Sequence, residues 1–132
     1  MAKNICILYF SQSGNTKKLA GMIKDAAGGD LVDMAAGTVP ALGGYDLILL
    51  GTPNWAATLP EPTASFLKKL DLNGKTAAVF CTHGMGGLQN VADDAAKLCA
   101  GATMLAPFAI KGVEVDGAGE KLGDWLREIG AL

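Results

Sequence analysis

The sequence predicts an α/β fold: a single doubly wound domain, residues 1–132, on a five-stranded parallel sheet of order 2-1-3-4-5. Short apolar runs alternate with segments of helical periodicity along the whole chain, as a sheet covered by crossover helices requires. Three of those runs, Ile5–Phe10, Leu47–Leu50 and Ala77–Cys81, are continuously apolar, the pattern of strands buried on both faces. The other two, Leu31–Met34 and a broken run over Met104–Ile110, contain Asp33 and Pro107, which an edge strand tolerates and a central one does not. Strands two and five therefore belong at the edges.

Taken in order, Ile5–Phe10 forms the first strand and Leu19, Met22, Ile23 and Ala26 mark the apolar stripe of the first helix. After the strands Leu31–Met34 and Leu47–Leu50, a short helix buries Phe66, Leu67 and Leu70. Ala77–Cys81 precedes a helix with Leu88, Val91, Ala92 and Ala95, and the last helix carries Leu122, Trp125, Leu126 and Ile129. Such stripes are core positions.

The 132 residues are enough to bury one core, half of them are apolar, and the formal net charge is −2. This balance excludes a nucleic-acid binder, and the lysine pairs Lys17-Lys18 and Lys68-Lys69 fit solvated helix faces. No apolar segment is long enough for a signal peptide or a membrane span, so a cytoplasmic location is expected. Cys6, Cys81 and Cys99 sit in apolar runs without Cys-x-x-Cys spacing and read as buried free thiols. Neither a metal site nor a catalytic acid, base or nucleophile is expected.

In a sheet of this order, ligands bind beyond the carboxyl ends of the strands, where the winding reverses between strands one and three. Three loops meet there: Ser11–Thr16, Thr52–Pro60 and Thr82–Leu88. The first joins a strand to a helix through Ser11, Gln12, Ser13, Gly14, Asn15 and Thr16. Unpaired N–H groups and the positive helix end suit an anion, with Ser11, Ser13, Asn15 and Thr16 as uncharged side-chain donors. A capping turn with no ligand would use similar residues. Asn15 follows Gly14 where a nucleoside-triphosphate loop needs lysine, and Gln89 falls where a dinucleotide fingerprint needs its third glycine.

The second loop has no charge from Thr52 to Pro60 and offers Trp55 as a flat wall, with Pro53 and Pro60 stiffening its ends. In the third, the closely spaced Gly84, Gly86 and Gly87 let backbone approach a planar ligand's polar edge. His83 is the only histidine, and by itself makes neither a triad nor a metal site.

The stretches Tyr9-Phe10-Ser11-Gln12-Ser13-Gly14-Asn15-Thr16, Gly51-Thr52-Pro53-Asn54-Trp55 and Phe80-Cys81-Thr82-His83-Gly84-Met85-Gly86-Gly87 resemble the three cofactor loops of flavodoxins, in order and spacing over essentially the whole chain. The resemblance implies FMN as cofactor, its phosphate on residues 11–16. The isoalloxazine would lie against Trp55, within a second loop of Thr52, Pro53, Asn54, Trp55 and Ala56. Its pyrimidine edge would meet backbone of Thr82, His83, Gly84, Met85, Gly86 and Gly87.

Departures from the family pattern are specific. The third loop lacks the tyrosine that stacks on the outer ring face in many flavodoxins, leaving Met85 and His83 there. The second lacks the glycine that members often use after the aromatic residue to turn a peptide carbonyl toward the reduced ring. Ala56 and Ala57 resist a positive φ by about 1 kcal/mol or more. Acidity is mild, with Glu61, Asp93 and Asp94 near the site, so electrostatic steering of partners is expected to be weak.

These features predict a low-potential FMN electron carrier, a monomer, working between a reductase and an acceptor protein. The alternative is an FMN-dependent NAD(P)H:quinone or related small-molecule reductase, favoured by the open ring face and disfavoured by the short chain. A flavin-free interaction module on the same fold is a third class.

Overall fold

The computed structural model describes residues 4–84 and 86–132; the expected contact at Met85 lies outside them. The elements run β1 (Ile5–Tyr9), α1 (Asn15–Ala27), β2 (Asp30–Asp33), β3 (Leu47–Pro53), α2 (Glu61–Leu67), β4 (Thr76–His83), α3 (Val91–Leu98), β5 (Thr103–Met104), β6 (Phe108–Lys111) and α4 (Gly119–Glu128). Single 3-10 segments, Met34–Ala36 and Gly112–Gly117, follow β2 and β6.

The strands pair in parallel in the order β2-β1-β3-β4, and the outer side of β4 carries both β5 and β6. The 2-1-3-4-5 order is therefore present, with its fifth strand divided at Leu105–Pro107. Proline supplies no N–H for a ladder, and the Trp125 indole donates instead to the carbonyl of Ala106 at 2.7 Å. Trp125 also packs on Phe108 and Phe80, with ring centroids 5.4 and 6.4 Å away, so the helix α4 pins the break from one face.

Alternation along the strands sorts the core into two layers. Ile5, Ile7 and Tyr9 of β1, with Leu47, Leu49, Phe80, Phe108 and Ile110, meet α1 and α4. Cys6, Leu8, Ile48, Leu50, Val79 and Cys81 point the other way, toward α2 and α3. Fully burying each such Leu or Ile stabilises the fold by about 1.5–3 kcal/mol. The apolar stripes hold in part: Ala20 rather than Ala26 completes the buried face of α1, while Leu70 falls after the end of α2 and Leu88 before the start of α3, both half-buried.

β3 and β4 run further than the apolar runs alone suggested, through Thr52-Pro53 and Thr82-His83. These polar residues continue the ladder, Pro53 opposite Thr82 and His83 opposite Lys111. The extension carries the strand ends up to the loops and fixes the floor between them.

Candidate functional site

At the carboxyl ends of the strands lies a cleft of about 240 Å³, lined by Ser13, Asn15, Pro53, Asn54, Trp55, Thr82, His83, Gly84, Gly112 and Val113. All three loops expected at the switch point contribute to it, and so does a fourth segment.

The first side is the mouth of α1. Gly14 precedes the helix in a left-handed conformation, φ +94°, which a residue without Cβ adopts freely. Its carbonyl accepts the first helical bond from Lys18 N–H at 3.0 Å, and its own N–H donates to Ser11 Oγ at 3.2 Å. No side chain caps the helix, so its first N–H groups have no partner within it.

The side chains at this mouth have separate duties. Ser13 and Asn15 line the cleft, Gln12 is exposed, and Ser11 braces the turn with one lone pair, its proton remaining available. Thr16, in the first turn of α1, is buried, with its hydroxyl 2.7 Å from that of Thr82 on β4.

The second side is a tight hairpin. Trp55 and Thr58 exchange both N–H···O=C bonds, each 3.1 Å, around Ala56 and Ala57. Ala56 and Ala57 have φ of +51° and +73°, so the turn adopts the left-handed conformation that alanine resists. Two-residue hairpin loops of this kind need positive φ at both central positions. External bonds hold the turn closed: Asn90 N–H donates to Ala57 O at 3.1 Å, and Thr58 Oγ1 donates to the Asp94 carboxylate. Trp55 is 36% exposed and meets Phe10 edge-on, centroids 5.6 Å apart and planes at 77°. Trp55 also lines the cleft.

The third side is bound to the second. Asn54 N–H donates to Thr82 O, while its side-chain amide donates to Gly87 O and Gln89 Oε1, all at 2.8 Å. His83 Nδ1 accepts from Gly87 N–H at 3.1 Å, and His83 lines the cleft. Gly84 lines the cleft, Gly86 is exposed and Gly87 half-buried. Thr52 is sealed beneath the site, its hydroxyl 2.9 Å from that of Thr63 on α2. Ala56 is exposed at the hairpin tip and does not line the cleft.

The fourth side, Gly112-Val113, escaped the sequence reading. It follows β6 and returns across the mouth of α1, where a Cβ on Gly112 would stand 2.4 Å from the Asn15 side-chain nitrogen. Glycine at that position is what lets the Asn15 amide occupy the cleft wall. Lys18 pairs with Asp116 on the same returning segment; both are well exposed, so the pair contributes little. The signal for this side was present in Gly112 following the last strand, because loops after every strand gather at one sheet end.

The cleft lining contains no lysine, arginine, aspartate or glutamate. Such a surface suits a ligand with a phosphate at the α1 mouth and a flat, weakly polar body beside Trp55. Among the described residues no cluster of side chains could hold a metal ion, and no helix is long and apolar enough to cross a membrane.

Known proteins share this fold. A flavodoxin from Nostoc sp. is 32% identical over 102 residues, covering 72% of this chain and 60% of that protein, so the chain spans about three-fifths of this curated relative. Oxidised Flavodoxin 2 from Bacillus cereus superposes with a TM-score of 0.74 at 26% identity, over 96% of this chain and 97% of that one. A flavoprotein from Lactobacillus acidophilus, solved in complex with FMN, gives 0.67 at 22% identity over 88% and 98% of the two chains. The flavodoxin domain model matches residues 6–103, and the chain belongs to the flavodoxin family.

Proposed function

We propose that residues 1–132 act as one FMN-binding domain that carries electrons at low potential between a reductase and an acceptor protein in the cytoplasm. The observation that carries this reading is the one cleft shared by the uncapped mouth of α1 and the partly exposed Trp55. Ser11, Gln12, Ser13, Gly14, Asn15 and the Thr16 backbone would hold the phosphate. Pro53, Asn54 and Trp55 would flank the ring, and backbone of Thr82, His83, Gly84, Gly86 and Gly87 would meet its polar edge. When bound, the flavin supplies the redox chemistry.

The protein's own contribution is positioning and electrostatics. Asn54 and His83 brace the Gly84–Gly87 segment, and the Thr16–Thr82 pair fixes the helix mouth against β4. A cleft wall without lysine or arginine gives an anionic ring little stabilisation, which supports the low potential.

Adding FMN to flavin-free protein should give a yellow complex that survives gel filtration. Trp55→Ala should weaken it by about tenfold or more. Folded protein that takes up no FMN would refute the reading. The open His83-Gly84 side keeps a reductase in view, and NADH or NADPH oxidation with a quinone separates the two, since a carrier should turn over almost none alone.

A further inference from the structure

We infer that His83 is a proton-sensitive positioning residue: neutral, it fixes Gly87 beside the cleft, and protonated, it releases Gly87 and puts a positive charge in a cleft lining that has no lysine or arginine. The consequence for a bound flavin rests on the FMN reading. The anchor on Gly87 does not.

Side chains grip both backbone groups of Gly87. Its N–H donates to His83 Nδ1 at 3.1 Å, and its carbonyl accepts from the Asn54 amide at 2.8 Å. The same Asn54 nitrogen donates to Gln89 Oε1 at 2.8 Å. Asn54 and Gln89 are amides and keep these bonds at any ordinary pH. The His83 grip differs. A backbone N–H can only donate, so Nδ1 must be a bare acceptor nitrogen, and the proton of the neutral ring sits on Nε2. An imidazolium carries N–H on both nitrogens and has no acceptor left. Protonation therefore sets two donors against each other, and the bond to Gly87 is lost.

The proton has a path, because His83 is half-buried at the end of β4 and lines the cleft. Its register partner on β6 is Lys111. The neighbouring cleft residues, Pro53 and Asn54 from β3 and the turn after it, Ser13 and Asn15 from the α1 mouth, and Gly112 and Val113, carry no charge. Further along the same elements stand Lys17 and Lys18 on α1, Glu114 and Asp116 after β6, and Asp93 and Asp94 on α3. Imidazole changes charge between about pH 5 and 8, whereas carboxylates and ammonium groups ordinarily titrate outside that range. A positive charge on His83 favours the more negative form of a bound ring, which is the reduced one. Acidification should thus raise the affinity for reduced FMN relative to oxidised FMN.

The test begins with isotope-labelled, flavin-free protein titrated from about pH 8 to about pH 5, with the Gly87 amide and the His83 ring followed by NMR. In wild type the two should move with one midpoint, the Gly87 amide proton shifting upfield as its bond is lost. His83→Asn offers an acceptor oxygen that does not titrate, so its Gly87 amide should stay still. Circular dichroism at both ends checks the fold. In loaded protein, the ratio of affinities for dithionite-reduced and oxidised FMN should rise on acidification about fivefold more in wild type than in His83→Asn. Titration of the FMN phosphate is common to both proteins and cancels in that comparison.

A Gly87 amide that ignores the His83 titration overturns the proposal, as does an equal rise in wild type and His83→Asn. Should His83→Asn fail to fold, wild type decides: a shared midpoint supports the proposal and separate midpoints overturn it. Protein that takes up neither form of FMN refutes the FMN reading, while the amide titration still decides the anchor.

Discussion

The hydroxyls of Thr16 and Thr82 lie 2.7 Å apart in the buried floor of the cleft, tying the first turn of α1 to the end of β4. Neither is exposed to water, so each depends on the other. Thr82→Val should destabilise the flavin-free protein by about 1–3 kcal/mol in urea denaturation, because it strands the Thr16 hydroxyl. The double variant Thr16→Val with Thr82→Val should cost less than the two singles summed. Strict additivity would mean that the pair is not coupled.

Gly51 faces Phe80 across the β3–β4 pair, and a Cβ at Gly51 would stand 2.2 Å from the tip of that ring. Gly51→Ala should therefore cost about 1–3 kcal/mol through overpacking. Adding Phe80→Leu should recover part of the loss relative to Phe80→Leu alone, measured by thermal unfolding. An alanine tolerated without change in Tm would contradict this packing.

The Ala56–Ala57 turn predicts a gain. Two left-handed alanines are each unfavourable by about 1–2 kcal/mol, whereas glycine adopts the conformation freely but loses more entropy on folding. Ala56→Asn with Ala57→Gly, the residues such turns prefer, should stabilise by about 1 kcal/mol, roughly 4 °C in Tm. Ala57→Val should go the other way.

The cysteines give a pH dependence. Burial pushes the Cys81 thiol up to about 12 and Cys99 to about 11, and burial aided by the Asp30 carboxylate takes Cys6 to about 11. Unfolded thiols lose protons near 9, before the folded ones do, so the unfolded state binds fewer protons between those values. Stability from this source is fully present below pH 9 and falls as pH rises toward 11–12. At pH 8 a thiol reagent should label the native protein slowly and all three cysteines quickly in denaturant. Fast labelling of native Cys81 would contradict its burial.

Most of the architecture was readable because apolar periodicity is written locally. Continuous runs such as Ile5–Phe10 marked the central strands, and Asp33 and Pro107 marked the edges. The polar strand ends were not readable, since Thr52 and Thr82 look like loop residues until Thr63 and Thr16 supply their partners from elsewhere in the chain. The same limit hid the Ala56–Ala57 turn, where bonds from Asn90 and Asp94 override the local preference of alanine. Gly112 is close to Asn15 only in three dimensions, which concealed the fourth wall of the cleft.

The interruption at Leu105–Pro107 reaches beyond the cleft. On that border the outermost strands are two and four residues long, separated by a proline, and the opposite border begins and ends in Asp30 and Asp33. Neither rim offers a long, flat, uncharged row of amides to a second chain. Intermolecular sheet growth thus lacks a template at both sides, and the protein should stay dispersed at concentrations where a continuous fifth strand would invite fibrous association.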